Sequence, residues 1–187
     1  NKVKATVQAI PLRAITVSHN PRWPIRHLQI MGYDPMKLIH DYALSNEEEK
    51  KKHFCELIEE NEPEIVALAE DIMDCQIMPV IVRNNGTKMV DNCPLTRYGL
   101  VDGERRFLAQ SYNKAKHGHP NYIEARVKKL TVEEAEDIAI RANLHRQDMM
   151  SFEKSRLYNE MAKRGGIPLT EVARKLNLHY HEVYNDA

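Results

Sequence analysis

The first third of the chain alternates short apolar segments with polar ones. β-branched residues recur between polar neighbours over residues 3–17, which predicts one or two short strands. Residues 35–61 predict two polar helices, with a capping box at residues 45–48 opening the second. A further helix follows Pro63, because apolar residues recur at i, i+3, i+4 and i+7 from Ile65. This part of the chain therefore combines strands with helices.

The middle of the chain predicts several strands around one helix. Asn-Asn-Gly at residues 84–86 is typical of a tight hairpin turn. Residues 91–97 predict a loop, and a helix runs from Gly103 to about Lys116. Strands are predicted at residues 78–83, 87–90, 98–101 and 123–127. The pattern predicts a small mixed sheet.

The last third of the chain is helical throughout. A second capping box at residues 131–134 opens one helix, and later helices are predicted at residues 151–164, 169–175 and from 179 onward. We place a domain boundary near residue 148. The predicted domains are a mixed α/β domain at residues 1–148, with residues 31–61 as a helical insertion, and an all-α domain at residues 149–187.

The composition narrows the class of protein without identifying its function. Lysine plus arginine equals aspartate plus glutamate, 27 of each, which argues against a protein that coats nucleic acid nonspecifically. The three cysteines share no CxxC spacing, which favours reduced thiols in a cytosolic protein. No apolar run approaches the roughly 20 residues that span a membrane. Because an initiator methionine is absent and the last helical pattern is cut short, we expect the chain to be part of a longer protein.

Residues 98–109 contain the most informative chemistry. A predicted strand leads into Gly103 at the start of a helix whose first turn carries Arg105 and Arg106. A helix N-terminus presents unpaired N–H groups and the positive end of the helix dipole, and arginine adds paired hydrogen bonds to phosphate oxygens. The pattern indicates an anion site. The alternative is that both arginines are surface residues paired with Glu104 or Asp102.

Four segments in order resemble the motifs of ParB/KorB-type partition proteins. Residues 103–106, followed by Phe107-Leu108-Ala109, resemble the phosphate-binding motif of that family, and residues 65–83 resemble its helix–turn–strand with the cytidine-contacting motif. Asn20-Pro21 and Pro24 resemble its early Asn-Pro segment, and residues 143–148 its Glu-Asn-Leu segment without the first glutamate. The resemblance implies an α+β fold: a ParB/sulfiredoxin-like mixed-sheet nucleotide-binding domain followed by an all-α helix-turn-helix domain.

The resemblance also implies CTP and Mg²⁺ as ligands. The triphosphate would lie on residues 103–106, the cytosine at the turn of residues 75–79, and the metal at Asn143. The implied cofactor-binding residues are Gln76, Met78, Pro79, Gly103, Glu104, Arg105, Arg106, Asn143 and Arg146.

Three departures from the family pattern affect the expected chemistry. Cys75 and Met78 stand where the family has glycine and glutamine, and Met78 cannot hydrogen-bond a base edge as glutamine would. Ala142 replaces the acidic residue before Asn143, which weakens the case for Mg²⁺ binding and for CTP hydrolysis.

Other proteins with this fold have other chemistry. Sulfiredoxin shares the fold, but its reactive cysteine corresponds to Glu104 here, so the reductase chemistry of sulfiredoxin is excluded. A kinase or nuclease on the same fold, with Glu104 as general base, stays open.

Residues 169–184 have the form of a helix-turn-helix. Thr170 can cap the first helix, Val172, Ala173 and Leu176 face inward, Asn177 turns the chain, and Leu178 and Val183 are buried. The residues predicted to face DNA are Thr170, Arg174, Lys175, His179, Tyr180, His181 and Tyr184.

Together, the residue patterns and the resemblance predict a CTP-binding, DNA-binding partition protein, or a related transcriptional regulator. The resemblance implies a homodimer that closes as a nucleotide-gated clamp on double-stranded DNA at a palindromic, centromere-like site. It further implies a partition ATPase as partner and a bacterial cytoplasmic location on the nucleoid or a plasmid. A nucleotide-dependent enzyme with an accessory helical domain is the alternative.

Overall fold

A computed structural model describes residues 6–17, 26–75, 78–90, 92–144 and 151–179, together with residues 181 and 183. The chain divides into two compact units, residues 1–135 and residues 136–187. The domain ranges predicted from the sequence, with a boundary near residue 148, stay a prediction.

The first unit contains a five-stranded sheet and most of the helices. The strands are β1 (Val7–Pro11), β2 (Ile15–Val17), β3 (Val80–Val90), β4 (Cys93–Asp102) and β5 (Tyr122–Lys128). Its helices are α1 (Arg26–Ile30), α2 (Pro35–Lys37), α3 (Glu48–Asn61), α4 (Pro63–Asp74) and α5 (Glu104–His117), and a π-helical segment Leu38–Ala43 follows α2. The division between the units lies in helix α6 (Val132–Leu144), and helices α7 (Ser151–Gly165) and α8 (Leu169–Leu176) belong to the second unit.

The sheet is mixed, with the strand order β1-β5-β3-β4-β2. Strand β3 pairs antiparallel with β4 and parallel with β5, while the two edge strands pair antiparallel (β1 with β5) and parallel (β2 with β4). Helix α5 buries Phe107 and Leu108 in a core that also includes Val80 and Val82 of β3. The predicted α+β class, a mixed sheet followed by helices, is confirmed.

The predicted hairpin turn at residues 84–86 is wrong. Strand β3 continues through these residues, and the pairing advances three residues on β3, from Asn84 to Thr87, against two on β4, from Tyr98 to Thr96. The extra residue is a bulge in which Gly86 has a φ of +86° and its N–H donates to Asn84 Oδ1 at 2.7 Å. Asparagine–glycine therefore provides the left-handed residue of a bulge. The predicted loop at 91–97 is wrong for residues 93–97, which belong to β4, whereas residue 92 is a turn and residue 91 lies outside the described residues.

Residues 35–61 contain helices, as predicted, and part of this segment lies along edge strand β2. His40 Nε2 lies 3.0 Å from the carbonyl oxygen of Ile15, and the Val17 N–H donates to the sulfur of Met36 at 3.4 Å. These contacts pair backbone groups at the open edge of the sheet, which would otherwise be available to another strand. The predicted capping box is wrong: α3 begins after Glu47 without a side-chain cap, and the Ser45 hydroxyl accepts a hydrogen bond from the Glu47 N–H, which lies before the helix.

The capping box at the start of α6 is confirmed. The Thr131 N–H donates to Glu134 Oε2 at 2.8 Å, and the Glu134 N–H donates to Thr131 Oγ1 at 3.2 Å. Val132, at the start of this helix, is exposed, and the partly buried residues of α6 begin at Ala135. Among the residues that the structure describes, no helix is long and apolar enough to cross a membrane.

Candidate functional site

Gly103 connects strand β4 to helix α5 in a conformation that requires glycine. Its φ is +107°, and a Cβ added there would lie 2.7 Å from Val80 Cγ1, closer than real contacts allow. The Gly103 carbonyl accepts the first hydrogen bond of the helix from the Phe107 N–H at 2.9 Å. The N-terminus of α5 is thus pressed against the beginning of β3, with backbone rather than side chain at the point of contact.

The guanidinium group of Arg106 joins two of the predicted motifs. Its Nη1 donates to the carbonyl oxygens of Met78 at 2.7 Å and Pro79 at 3.0 Å, and its Nη2 donates to Asp102 Oδ2 at 3.4 Å. The side chain is only 22% exposed. Arg106 therefore holds the residues before β3 against the N-terminal end of α5 (residues 103–106), which we call the mouth of α5. The sequence pattern did not predict this role, since it depends on which backbone carbonyls lie next to the guanidinium group in the folded chain. Whether it also binds phosphate stays a prediction.

Arg105 points toward a different element. Its Nη2 donates to Glu64 Oε2 of helix α4 at 2.8 Å, and the two side chains are 42% and 79% exposed. The alternative interpretation paired both arginines with Glu104 or Asp102. It describes Arg106, which contacts Asp102, but not Arg105, which pairs with a glutamate 41 residues away. No local sequence pattern signals Glu64.

Helices α4 and α5 lie with their N-termini at the same end. Glu64 reaches Arg105 near one end of the pair, and one to two turns further along Asn113 Nδ2 donates to the Ala69 carbonyl oxygen at 2.8 Å. The positive ends of both helix dipoles therefore face the region around Arg105. This arrangement favours an anion there.

The other predicted nucleotide residues differ in what the structure describes. Glu104, the candidate general base, begins α5 and is only 6% exposed, whereas Met78 is exposed and Pro79 partly buried. Gln76 and Arg146 lie outside the described residues. Asn143 belongs to α6, but its side chain lies outside the described part of the structure. Within the described residues, no group of three or more His, Cys, Asp or Glu side chains could hold a metal ion.

The second unit has the core that a helix-turn-helix requires. Val172, Ala173 and Leu176 of α8 are buried, as predicted, together with Val183 beyond the turn. Asn177 adopts the left-handed conformation (φ 56°) that ends α8. The predicted cap is wrong, because α8 begins after Pro168 and Thr170 lies within the helix, with no side-chain cap.

The candidate DNA-binding side chains of α8 lie opposite that core. Thr170, Arg174 and Lys175 are exposed. Arg174 donates to both carboxylate oxygens of Glu171, at 2.5 and 2.9 Å, and this ion pair holds the pKa of Glu171 below its ordinary value. His179 and His181 are exposed, whereas Tyr180 and Tyr184 lie outside the described residues.

Comparisons with known proteins give a likeness among solved structures. No protein-family model and no curated protein matches the chain. The chain is similar to the C-terminally truncated chromosome-partitioning protein ParB from Caulobacter crescentus complexed to the centromeric parS site, with 17% identity and a TM-score of 0.49 over 96% of this chain and 69% of that one. It is also similar to the same protein complexed with CTP-gamma-S, with 17% identity and a TM-score of 0.40 over 97% of this chain and 76% of that one. These values describe a likeness of the backbone, and the ligands belong to the Caulobacter protein.

Proposed function

We propose that the chain binds CTP at the mouth of α5 and double-stranded DNA through its helical unit, as part of a homodimeric partition protein. The observation that carries the nucleotide half is the set of Arg106 hydrogen bonds to Met78 and Pro79. The predicted base-contacting turn and the predicted phosphate-binding motif, 24 or more residues apart in sequence, thereby meet at one place.

The mouth of α5 provides the chemistry that a triphosphate needs. Gly103 has the positive φ that starts α5 beside β3, and the helix N-termini of α4 and α5 supply positive potential. Arg105 is half-exposed and presents its guanidinium at this opening, where it would form charge-assisted hydrogen bonds with phosphate oxygens. Mg²⁺ enters the proposal as the ion that accompanies the triphosphate, and the assignment of Asn143 as its ligand stays a prediction from the sequence.

Calorimetric titration of each of the four nucleoside triphosphates with Mg²⁺ tests this site. We expect CTP to bind the wild type, and Arg105→Ala to weaken it roughly tenfold or more, since hydrogen bonds to charged groups are the stronger ones. Arg164→Ala is the matched control, because Arg164 is also a half-exposed helical arginine, paired with Glu160 and Glu136. A wild type that binds no nucleotide, or an Arg105→Ala variant that binds equally well, would contradict the assignment.

The DNA half of the proposal rests on the separation of core and exposed residues in α8. Its buried face leaves Thr170, Arg174 and Lys175 outward, next to the exposed His179. In a helix-turn-helix the second helix enters the major groove, and basic residues nearby contact phosphates. We expect a palindromic duplex to bind, and its occupancy to change when CTP is added.

A nucleotide-dependent enzyme is the second candidate function, and one observation favours it. Glu104 is a buried acidic side chain that directly precedes Arg105 and Arg106, and a carboxylate within reach of an acceptor's proton would act as general base in phosphoryl transfer. Turnover of a nucleotide with a small acceptor, without DNA, would support the enzyme. CTP-dependent occupancy of DNA with little or no turnover would support the clamp.

A further inference from the structure

The ion pair between Arg105 and Glu64 occupies a side chain that the nucleotide would use. Arg105 Nη2 and Glu64 Oε2 are 2.8 Å apart, within the range of a charge-assisted hydrogen bond. A carboxylate and a phosphate present the same kind of acceptor to a guanidinium group. A triphosphate bound to Arg105 would therefore have to displace the Glu64 carboxylate or accept it as a negatively charged neighbour.

The Glu64 carboxylate can move away from Arg105 without a change in the fold. Its side chain is 79% exposed, whereas the next residue, Ile65, is buried in the core. Helix α4 is also held to α5 by the Asn113 hydrogen bond to the Ala69 carbonyl. Release of the carboxylate thus requires only rotation of one exposed side chain.

Glu62, two residues before Glu64, has a structural role and serves as a comparison. Glu62 is buried, and its Oε1 accepts a hydrogen bond from the His27 N–H at 3.1 Å. Glu62 joins α4 to the start of α1. Glu64 has no comparable burial, and it pairs with an arginine of the candidate site.

We propose that Glu64 sets the affinity of the nucleotide site by competing with the triphosphate for Arg105. This inference rests on the proposed nucleotide binding. In the nucleotide-free chain Glu64 neutralises Arg105, and on binding the phosphate oxygens replace the carboxylate. The strength of the competition decreases as salt screens the exposed pair.

Three variants test the competition, each titrated with CTP and Mg²⁺ by calorimetry. We expect Glu64→Gln to tighten binding roughly two- to fivefold, the range of an exposed ion pair. Glu64→Asp keeps the charge but is one methylene shorter, so we expect it to tighten binding less. Glu47→Gln is the matched control: Glu47 is exposed and paired with Lys50 at 2.6 Å, so it removes the same charge elsewhere. The CTP affinity of Glu47→Gln should equal that of the wild type, and the increase in CTP affinity caused by Glu64→Gln should become smaller at high salt.

The possible results separate the inference from the function on which it rests. CTP binding that is indifferent to both Glu64 variants overturns the competition and leaves the nucleotide site intact. Equal tightening by Glu64→Gln and Glu47→Gln would also overturn it, since a general loss of negative charge would then explain the effect. A wild type and a Glu64→Gln variant that both fail to bind any nucleotide would overturn the proposed function and the inference together.

Discussion

Two arginines show how differently the two units hold their candidate side chains. Arg106 in the α/β unit is 22% exposed and hydrogen-bonded to backbone carbonyls that precede β3. Arg174 in the helical unit is 77% exposed, and its hydrogen bonds go to Glu171, one turn away on its own helix. Residues at the mouth of α5 therefore contribute to folding and, by proposal, to binding, whereas those on α8 can be changed without touching the core.

Replacing Gly103 should give the largest loss of stability. Gly103→Ala places a Cβ at a φ of +107° and within 2.7 Å of Val80 Cγ1, so we expect about 2 to 4 kcal/mol of destabilisation from backbone strain and overpacking together. Gly118→Ala, at the other end of the same helix, is the matched control: its φ is +79° with open space around it, and we expect about 1 kcal/mol. Urea unfolding of the two variants measures the difference. Equal losses would mean that the close approach to Val80 contributes nothing.

The second prediction concerns Arg106 itself. Arg106→Ala leaves the Met78 and Pro79 carbonyls without their guanidinium donor, so we expect a loss of about 1 to 3 kcal/mol in the free energy of unfolding. Arg106→Lys keeps the charge but lacks the planar fork that serves two carbonyls, and should fall between wild type and alanine. Denaturation and CTP titration of both variants would show the two effects together. Weakened CTP binding at unchanged stability would contradict the proposed positioning role.

These two residues also show which parts of the site could be predicted from sequence. Glycine before a helix with arginines in its first turn was enough to predict the mouth of α5, because the signal is local. The partners of those arginines were not predictable. Arg106 meets carbonyls 27 and 28 residues away, and Arg105 meets Glu64 at a distance of 41 residues, contacts that exist only once α4, β3 and α5 pack together.

The difference between local signals and contacts of distant elements also explains which predictions of the fold were confirmed and which were wrong. The capping box at Thr131 formed as predicted, because its reciprocal bonds involve four consecutive residues. Asn85-Gly86 has a comparably strong local signal for a turn, yet the strand continues through it. The pairing of β3 with β4 overrides the turn and uses the left-handed glycine in a bulge.

A third prediction concerns the pH dependence of stability in the α/β unit. Burial lowers the pKa of His40, although its hydrogen bond to the Ile15 carbonyl acts in the opposite direction, and Arg97 and Asp41 lie close enough to add smaller opposing effects. A histidine with a lowered folded-state pKa contributes stability above its unfolded value of 6.5, and that contribution is lost as the pH falls through 6.5 toward the folded value. We expect acid to destabilise the wild type more than His40→Gln, with the exposed His53→Gln as control. Urea midpoints at several pH values test this, and equal acid sensitivity in wild type and His40→Gln would contradict it.

The smallest effect on stability is expected from Arg174→Ala, and this prediction tests the comparison most directly. Arg174 is 77% exposed and paired only within α8 in the contacts that the structure describes, so thermal unfolding should be unchanged. If Arg174 contacts a phosphate, the variant should bind every duplex more weakly, and the slope of log affinity against log salt should fall by about 1. Arg164→Ala, in the neighbouring helix α7, should change neither quantity. An Arg174→Ala variant that unfolds earlier than wild type would show that α8 is coupled to its candidate side chains as α5 is. Unchanged DNA affinity would remove Arg174 from the interface.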